Sequence, residues 1–325
     1  MKMEQVSANC FAVLNEKNLV CDANSGLINL GGGVVIDTQS DLAHARQMIE
    51  IFGKVWPGIP KRVINTHEDA DHVWGNQLFK GAEIIAQRRA AERMKHVADP
   101  QETQQLLKAA NGSLSSLLLK MLHPGALAIA KQLARDYNFD GIELALPTTV
   151  FDERCELNLD GTPVHLIFVG PCHQAGDTIV HVPEEGVLFA GDVLFRLCTP
   201  MGWTGTYAKW IETLDLIISL QPKIVVPGHG PVCGLDAVAQ MKAYLEYMRS
   251  ESKRCFEKGL TSLQASEQID LGPYGTWRAP ARLYLNVERA YREFRHEPSD
   301  KPWDSAKSFD AIYRVAKARG IEVEF

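Results

Sequence analysis

Residues 63–72 read Val63-Ile64-Asn65-Thr66-His67-Glu68-Asp69-Ala70-Asp71-His72. A short β-branched run passes straight into a cluster of imidazoles and carboxylates. Val63-Ile64-Asn65 predicts a buried strand, and the polar residues then fall in the loop at its end. Side chains on such a loop are held by a rigid sheet yet stay open to a ligand. His67, Asp69, Asp71 and His72 are all of metal-ligating type, so this segment decides how the chain is read.

Three later segments repeat the pattern. They are Gly170-Pro171-Cys172-His173-Gln174-Ala175-Gly176-Asp177-Thr178, Phe189-Ala190-Gly191-Asp192 and Val226-Pro227-Gly228-His229-Gly230. Each lies where a short strand is expected to end. Any one of these histidines alone would be read as a satisfied core residue. Together with the aspartates they match what a hydrolytic dimetal centre requires. Two close cations repel unless anionic ligands lie between them, and such a pair lowers the pKa of a shared water toward neutrality. The candidate ligands are therefore His67, Asp69, Asp71, His72, His173, Asp192 and His229.

In order, spacing and local glycines these segments resemble the signature of the metallo-β-lactamase superfamily, His-x-His-x-Asp-His followed by separate His, Asp and His. The resemblance covers about residues 10–235. It implies an α/β layered fold, an αββα sandwich of two mixed sheets with helices outside and metals at one edge. It also implies two divalent metal ions. His67, Asp69 and His173 would form the first site, Asp71, His72 and His229 the second, and Asp192 would bridge them. Asp71 would in addition be catalytic, orienting the nucleophile or receiving its proton. Val34-Val35-Ile36-Asp37, Ile64-Asn65-Thr66-His67 and Trp74-Gly75-Asn76 resemble the cyclase-like group of that superfamily.

One position departs from the pattern: Asp69 stands where the signature has His. A carboxylate there would enrich the first site in hard oxygen ligands and favour iron or manganese over zinc. Alternatively the shorter side chain fails to reach, or it binds through water. Flavodiiron proteins of the superfamily also carry a carboxylate at this position, but no flavodoxin-like half follows residue 235. The expected function is a metal-dependent hydrolase of a small-molecule ester, thioester or lactone. The alternatives are a diiron-type oxidoreductase, or a cyclase or lyase acting by Lewis-acid polarisation.

Bulk properties narrow the partners. The 325 residues are 46% hydrophobic and 23% charged with net charge −6, an ordinary globular balance that argues against a nucleic-acid partner. No apolar run reaches the roughly 18 residues of a membrane span. Seven cysteines scattered without CxxC spacing, behind an N-terminus lacking an apolar core, predict reduced thiols and a cytoplasmic setting.

Residues 1–235 are expected to form the metallo-β-lactamase-fold domain, with a helical insertion at about 97–147. Residues 236–325 are expected to form a helical extension on the same core. Ser25 to Asp37 is read as strand, and Ser40 to Phe52 as a helix capped near Ser40, with Asp37 either supporting that cap or orienting a ligand histidine. The insertion reads as helices at Gln101–Ala110 and Ser113–Arg135, the second broken at Pro124-Gly125. Its apolar set Leu114, Leu117, Leu118, Met121 and Leu122 has helical spacing and suggests a packing or dimer element, with a substrate lid as the alternative. Homodimerisation is left open. Thr66 is either a hydroxyl that fixes a ligand or a strand end. Asp177 reads as a turn residue, Cys172 as a small buried thiol, and Arg278, Arg282 and Arg289 as a solvated helix face.

Overall fold

The computed structural model describes residues 1–325. Its first sheet orders β1 (Lys2–Gln5), β2 (Cys10–Leu14), β3 (Ser25–Ile28), β4 (Val34–Ile36), β5 (Arg62–Asn65), β6 (Glu83–Gln87) and β7 (Thr149–Phe151) in sequence order. The first four strands pair antiparallel and the last four parallel. Parallel neighbours need crossovers, and helices supply them. These are α1 (Leu42–Phe52), the single turn α2 (Ala70–Val73), and a run of α3 (Arg88–Val97), α4 (Pro100–Asn111), α5 (Ser113–Leu122) and α6 (Pro124–Asp136).

The second sheet comprises β8 (Arg154–Leu159), β9 (Thr162–Phe168), β10 (Thr178–Val182), β11 (Val187–Phe195) and β12 (Ile224–His229), with α7 (Tyr207–Ser219) crossing between the parallel pair β11 and β12. Ile36, Ile64 and Ile85 of the first sheet meet Leu166, Val180, Phe189 and Val226 of the second in a buried layer. Outside the first sheet, α1 packs Met48 and Phe52 on Val35 and Val63. Outside the second, Trp210 and Leu214 of α7 pack in one buried cluster with Leu188 and Val225. Sheet on sheet with helices on both outer faces is the expected αββα sandwich. The chain after β12 continues as α8 (Leu235–Glu257), α9 (Ser262–Gln268), α10 (Leu283–Phe294) and α11 (Ser305–Arg319). Tyr244, Leu245, Leu283 and Val287 of these helices join the cluster over the second sheet, so the extension shares its core.

Several local expectations are corrected. Ser25–Asp37 is two strands, because Gly31, Gly32 and Gly33 all take positive φ and fold a hairpin between them. The α1 N-cap is Asp41, whose carboxylate accepts from the His44 N–H, and not Ser40. Asp37 is therefore free of the cap and takes the other role read for it, beside a ligand histidine. The insertion keeps its two helical stretches with the second broken at Pro124, as expected, giving three helices, but the apolar set of α5 does not pack on the rest of the chain. Leu114, Leu118 and Met121 are 71%, 49% and 72% exposed, and Leu117 and Leu122 are exposed beside them. Arg282 and Arg289 are buried, while Arg278 is half-buried and paired with Glu324, so the solvated-face expectation fails for all three. No helix is long and apolar enough to cross a membrane.

Candidate metal centre

All seven residues singled out above meet at one edge of the two sheets. His67 follows β5, Asp69 precedes α2, and Asp71 and His72 lie within it. His173 sits in the loop between β9 and β10, Asp192 lies within β11, and His229 ends β12. A register shift around Gly191 turns Asp192 out of the ladder toward the other ligands. Asp192 is the centre of the group. Its carboxylate oxygens lie 3.9, 3.2, 3.5 and 3.4 Å from Nε2 of His67, His72, His173 and His229 respectively. Asp69 Oδ2 is 2.8 Å from His173 Nε2 and 3.9 Å from His67 Nε2. Asp71 Oδ2 is 3.3 Å from His229 Nε2 and 3.8 Å from His72 Nε2. The donors therefore fall into three groups able to hold a cation, His67–Asp69–His173, Asp71–His72–His229, and His67–His72–Asp192 between them.

The outer nitrogens explain why the inner ones point inward. Asp37 Oδ2 lies 2.8 Å from His72 Nδ1 and accepts the Thr66 hydroxyl at 2.7 Å, while its Oδ1 accepts the Thr66 N–H at 2.8 Å. An ionised carboxylate only accepts, so His72 carries its proton on Nδ1. The Thr66 oxygen, having donated, accepts from His67 Nδ1 at 2.9 Å. The Met201 carbonyl accepts from His173 Nδ1 at 2.9 Å. Three imidazoles thus hold Nδ1–H outward and direct Nε2 inward, the orientation a metal ligand needs. The buried Nε2 atoms of His67 and His72 and Oδ1 of Asp192 have no hydrogen-bond partner in the protein. Orphaned buried polar atoms are costly, and here they converge on one point, as the donors of a divalent-cation site would.

Charge follows the same arrangement. Burial works against ionising Asp192, but His229, His72 and His173 outweigh it and hold the carboxyl well below the usual range. Burial likewise lowers His173 and His229, yet Asp192 with Asp69 or Asp71 pushes them up to about 10 and about 9. His67 alone is driven down, by burial and by the charge of His72. Protons occupy the place a cation would neutralise.

Sequence reading missed Gln174 and Glu68, and saw only part of the roles of Asp37 and Asp177. Asp37 fixes His72 and Thr66. Asp177 does serve as a turn residue, but its carboxylate also accepts the N–H groups of Cys172, His173 and Gln174 at 2.7, 2.8 and 3.0 Å, shaping the loop that presents His173. The Gln174 amide donates to Asp69 Oδ1. Glu68 is buried and accepts from Ala175 N, Gly176 N and Arg93, tying the two ligand loops together; burial first, then Asp69, pushes its carboxyl up to about 7. The only sequence signal was proximity to ligand segments. Cys172 is buried, and Trp210 and Tyr207 are packing residues.

A profile of the metallo-beta-lactamase superfamily matches residues 19–229. The metallo-beta-lactamase type 2 of Bacteroides fragilis is 30% identical over 116 residues, covering 34% of this chain and 47% of that protein. The alpha subunit of 2,4-dinitroanisole O-demethylase from Nocardioides sp. (strain JS1661) is 30% identical over 92 residues, 27% of each chain. The match thus spans less than half the length of either curated relative. The stereoselective inverting sec-alkylsulfatase Pisa1 from Pseudomonas sp. superposes with a TM-score of 0.65 at 16% identity, covering 90% of this chain and 50% of that one, a likeness of fold. Because the profile takes in most of the chain and the signature residues meet at one edge of the sheets, the protein belongs to the metallo-β-lactamase superfamily.

Proposed function

We propose that the protein is a dinuclear metallo-hydrolase acting on a small-molecule ester, thioester or lactone. The observation that carries this is the inward convergence of four Nε2 atoms and three carboxylates around Asp192. Divalent cations bound there would lower the pKa of water and polarise the scissile bond. Zinc, iron and manganese all suit the donor set; Asp69 makes the first half-site harder than an all-imidazole one.

The chain's own residues supply orientation. Asp71 and Asp69 are the most accessible members, with side chains 15% exposed against 4% for Asp192, so substrate and water enter beside them. Burial opposes ionisation of Asp71, but His72 and His229 keep its carboxyl lowered. Asp71 Oδ2 is thus held ionised, an acceptor that orients an entering water. Cys21 is partly buried, and burial, reinforced by Asp71, pushes its thiol up and disfavours the thiolate.

The test is hydrolysis of an ester, thioester and lactone panel by metal-loaded protein, with a secondary alkyl sulfate and an aryl methyl ether added because of the similar proteins named above. Carbonyl hydrolysis that disappears in His72→Ala supports the reading. Silence across the carbonyl substrates with both ions bound refutes it. Asp69 favours one second reading, a diiron-type oxidoreductase. Oxygen consumption by iron-loaded protein would move that reading to first place.

For partners, the reading includes a homodimer. The α5 stripe Leu114, Leu117, Leu118, Met121 and Leu122 bears no charge and suits a copy of itself across a twofold axis. All seven cysteines are unpaired, which supports a reducing, cytoplasmic setting.

A further inference from the structure

We infer that α10, far outside the ligand segments, is a working part of the first half-site, and that Arg289 positions His173. The inference rests on the dinuclear reading above.

Arg289 is 5% exposed and has no carboxylate within ion-pair distance. Its guanidinium lies over Trp210, 5.0 Å from the ring centre, and near Tyr207. Nη2 donates to two carbonyls, those of Cys172 and Thr204. These two residues bracket His173. Cys172 is its chain neighbour, and the N–H groups of Thr204 and Trp203 donate to the His173 carbonyl at 3.3 and 2.7 Å. One guanidinium therefore ties together the two segments that hold the His173 backbone.

The neighbouring residues of the same region extend this clamp. Asn286 donates to the Pro200 carbonyl at 3.0 Å, and Arg282 to the Thr199 carbonyl at 3.3 Å. Residues 199–204 thus hang from α10 and its approach at Thr199, Pro200 and Thr204. Between those anchors lies Met201, whose carbonyl fixes the His173 tautomer. The space is cut to fit. A Cβ on Gly202 would stand 2.0 Å from Arg289 Nη1, and one on Gly205 would strike the Pro171 carbonyl at 2.0 Å.

Packing alone does not account for an arginine here. Burying a guanidinium without a counter-ion is expensive, and an apolar residue of similar length would fill the slot over Trp210 without that cost. What arginine adds is Nη2, which donates to both carbonyls at once, while Nε and Nη1 have no partner in the protein. A cation supported by a weakened ligand shell typically loses roughly 10–100-fold in affinity. Arg289 therefore acts through His173, as a positioning residue.

The experiment titrates metal-free protein with zinc against a chromophoric chelator, alongside thermal melting of the metal-free protein. Arg289→Met keeps the stem on Trp210 and removes the donors. The expected result is tenfold or greater weakening of one zinc equivalent, the other unchanged, with melting close to that of the parent. Parent-like binding of both equivalents by folded Arg289→Met overturns the inference. Should Arg289→Met not fold, Gly202→Ala and Arg289→Lys are titrated instead. Weakening of one equivalent in either supports the inference, and parent-like binding in both overturns it. Failure of the parent protein to bind two equivalents refutes the dinuclear reading and this inference with it. Two tight equivalents in the parent and in every variant refute this inference alone.

Discussion

His173 Nε2 and Asp69 Oδ2 stand 2.8 Å apart. The short carboxylate therefore reaches far enough to share a cation with His173 and His67. Asp69→Ala is expected to lower bound metal from two ions per chain toward one. Asp69→His is expected to keep two and to raise the preference for zinc over manganese and iron. Elemental mass spectrometry of protein purified in the presence of all three metals checks both. An unchanged stoichiometry in Asp69→Ala would remove Asp69 from the ligand set.

Asp37 takes a positive φ of 57° and accepts three hydrogen bonds, from Thr66 N, Thr66 Oγ1 and His72 Nδ1. In Asp37→Asn the amide nitrogen faces at least one of these donors, so the His72 tautomer loses its support. Metal affinity at the second half-site should fall roughly 10–100-fold, with a matching loss of hydrolysis. Chelator competition at constant pH measures it; an affinity within twofold of the parent would contradict the role.

Protons and cations compete for the same nitrogens. Without metal, His173 and His229 are pushed from the ordinary 6.5 up to about 10 and about 9. Raised imidazole pKa values give the metal-free fold stability that is complete below the unfolded value near 6.5 and is lost as pH rises through about 9–10. Metal-free protein should therefore melt lower at about pH 10 than at about pH 6.5, while metal affinity rises over the same interval and binding releases protons. Calorimetry in buffers of different ionisation enthalpy reads the proton release. No release between these limits would show that the imidazoles are already neutral.

Gly228 lies against the bridging carboxylate. A Cβ there would stand 1.9 Å from Asp192 Oδ1 and 2.8 Å from the Asp192 nitrogen. Gly228→Ala should displace Asp192, destabilise the fold by about 1–3 kcal/mol as overpacking does, and abolish the second metal equivalent. Denaturant unfolding and metal analysis of the same preparation test this together. Normal metal content would mean that β12 shifts without moving Asp192.

The exposed α5 stripe gives a test of assembly. Leu118→Lys with Met121→Lys should convert a dimer to monomer in sedimentation, with a change in unfolding free energy of the monomer within about 0.5 kcal/mol, as for surface sites. A parent chain that sediments as monomer at all concentrations refutes the homodimer.

How much of this was legible in the sequence differs from residue to residue. His67, Asp69, Asp71, His72, His173, Asp192 and His229 were legible because each ends or interrupts a short β-branched run, a local pattern that needs no knowledge of distant chain. The layered fold followed from the resemblance of these segments to the superfamily signature. Asp37 was legible only as one of two alternatives, a histidine-orienting carboxylate or a helix cap. A carboxylate after a strand and before a helix reads as a cap, and only the parallel register of β4 on β5, with Ile36 opposite Ile64, sets it beside Thr66. Arg289 was hidden more deeply, since its carbonyl partner on Cys172 lies 117 residues away. The periodicity of α10 gives an amphipathic face but not what lies opposite it. The spacing of Leu114 to Leu122 likewise showed one apolar face and could not show that the rest of the chain leaves it in solvent. The sequence by itself determined the chemistry of the site, because residue type and position at a strand end are local properties. The tertiary structure alone decided what supports that site, because hydrogen bonds across sheets and from a distant helix depend on register and packing between segments that carry no mark of one another.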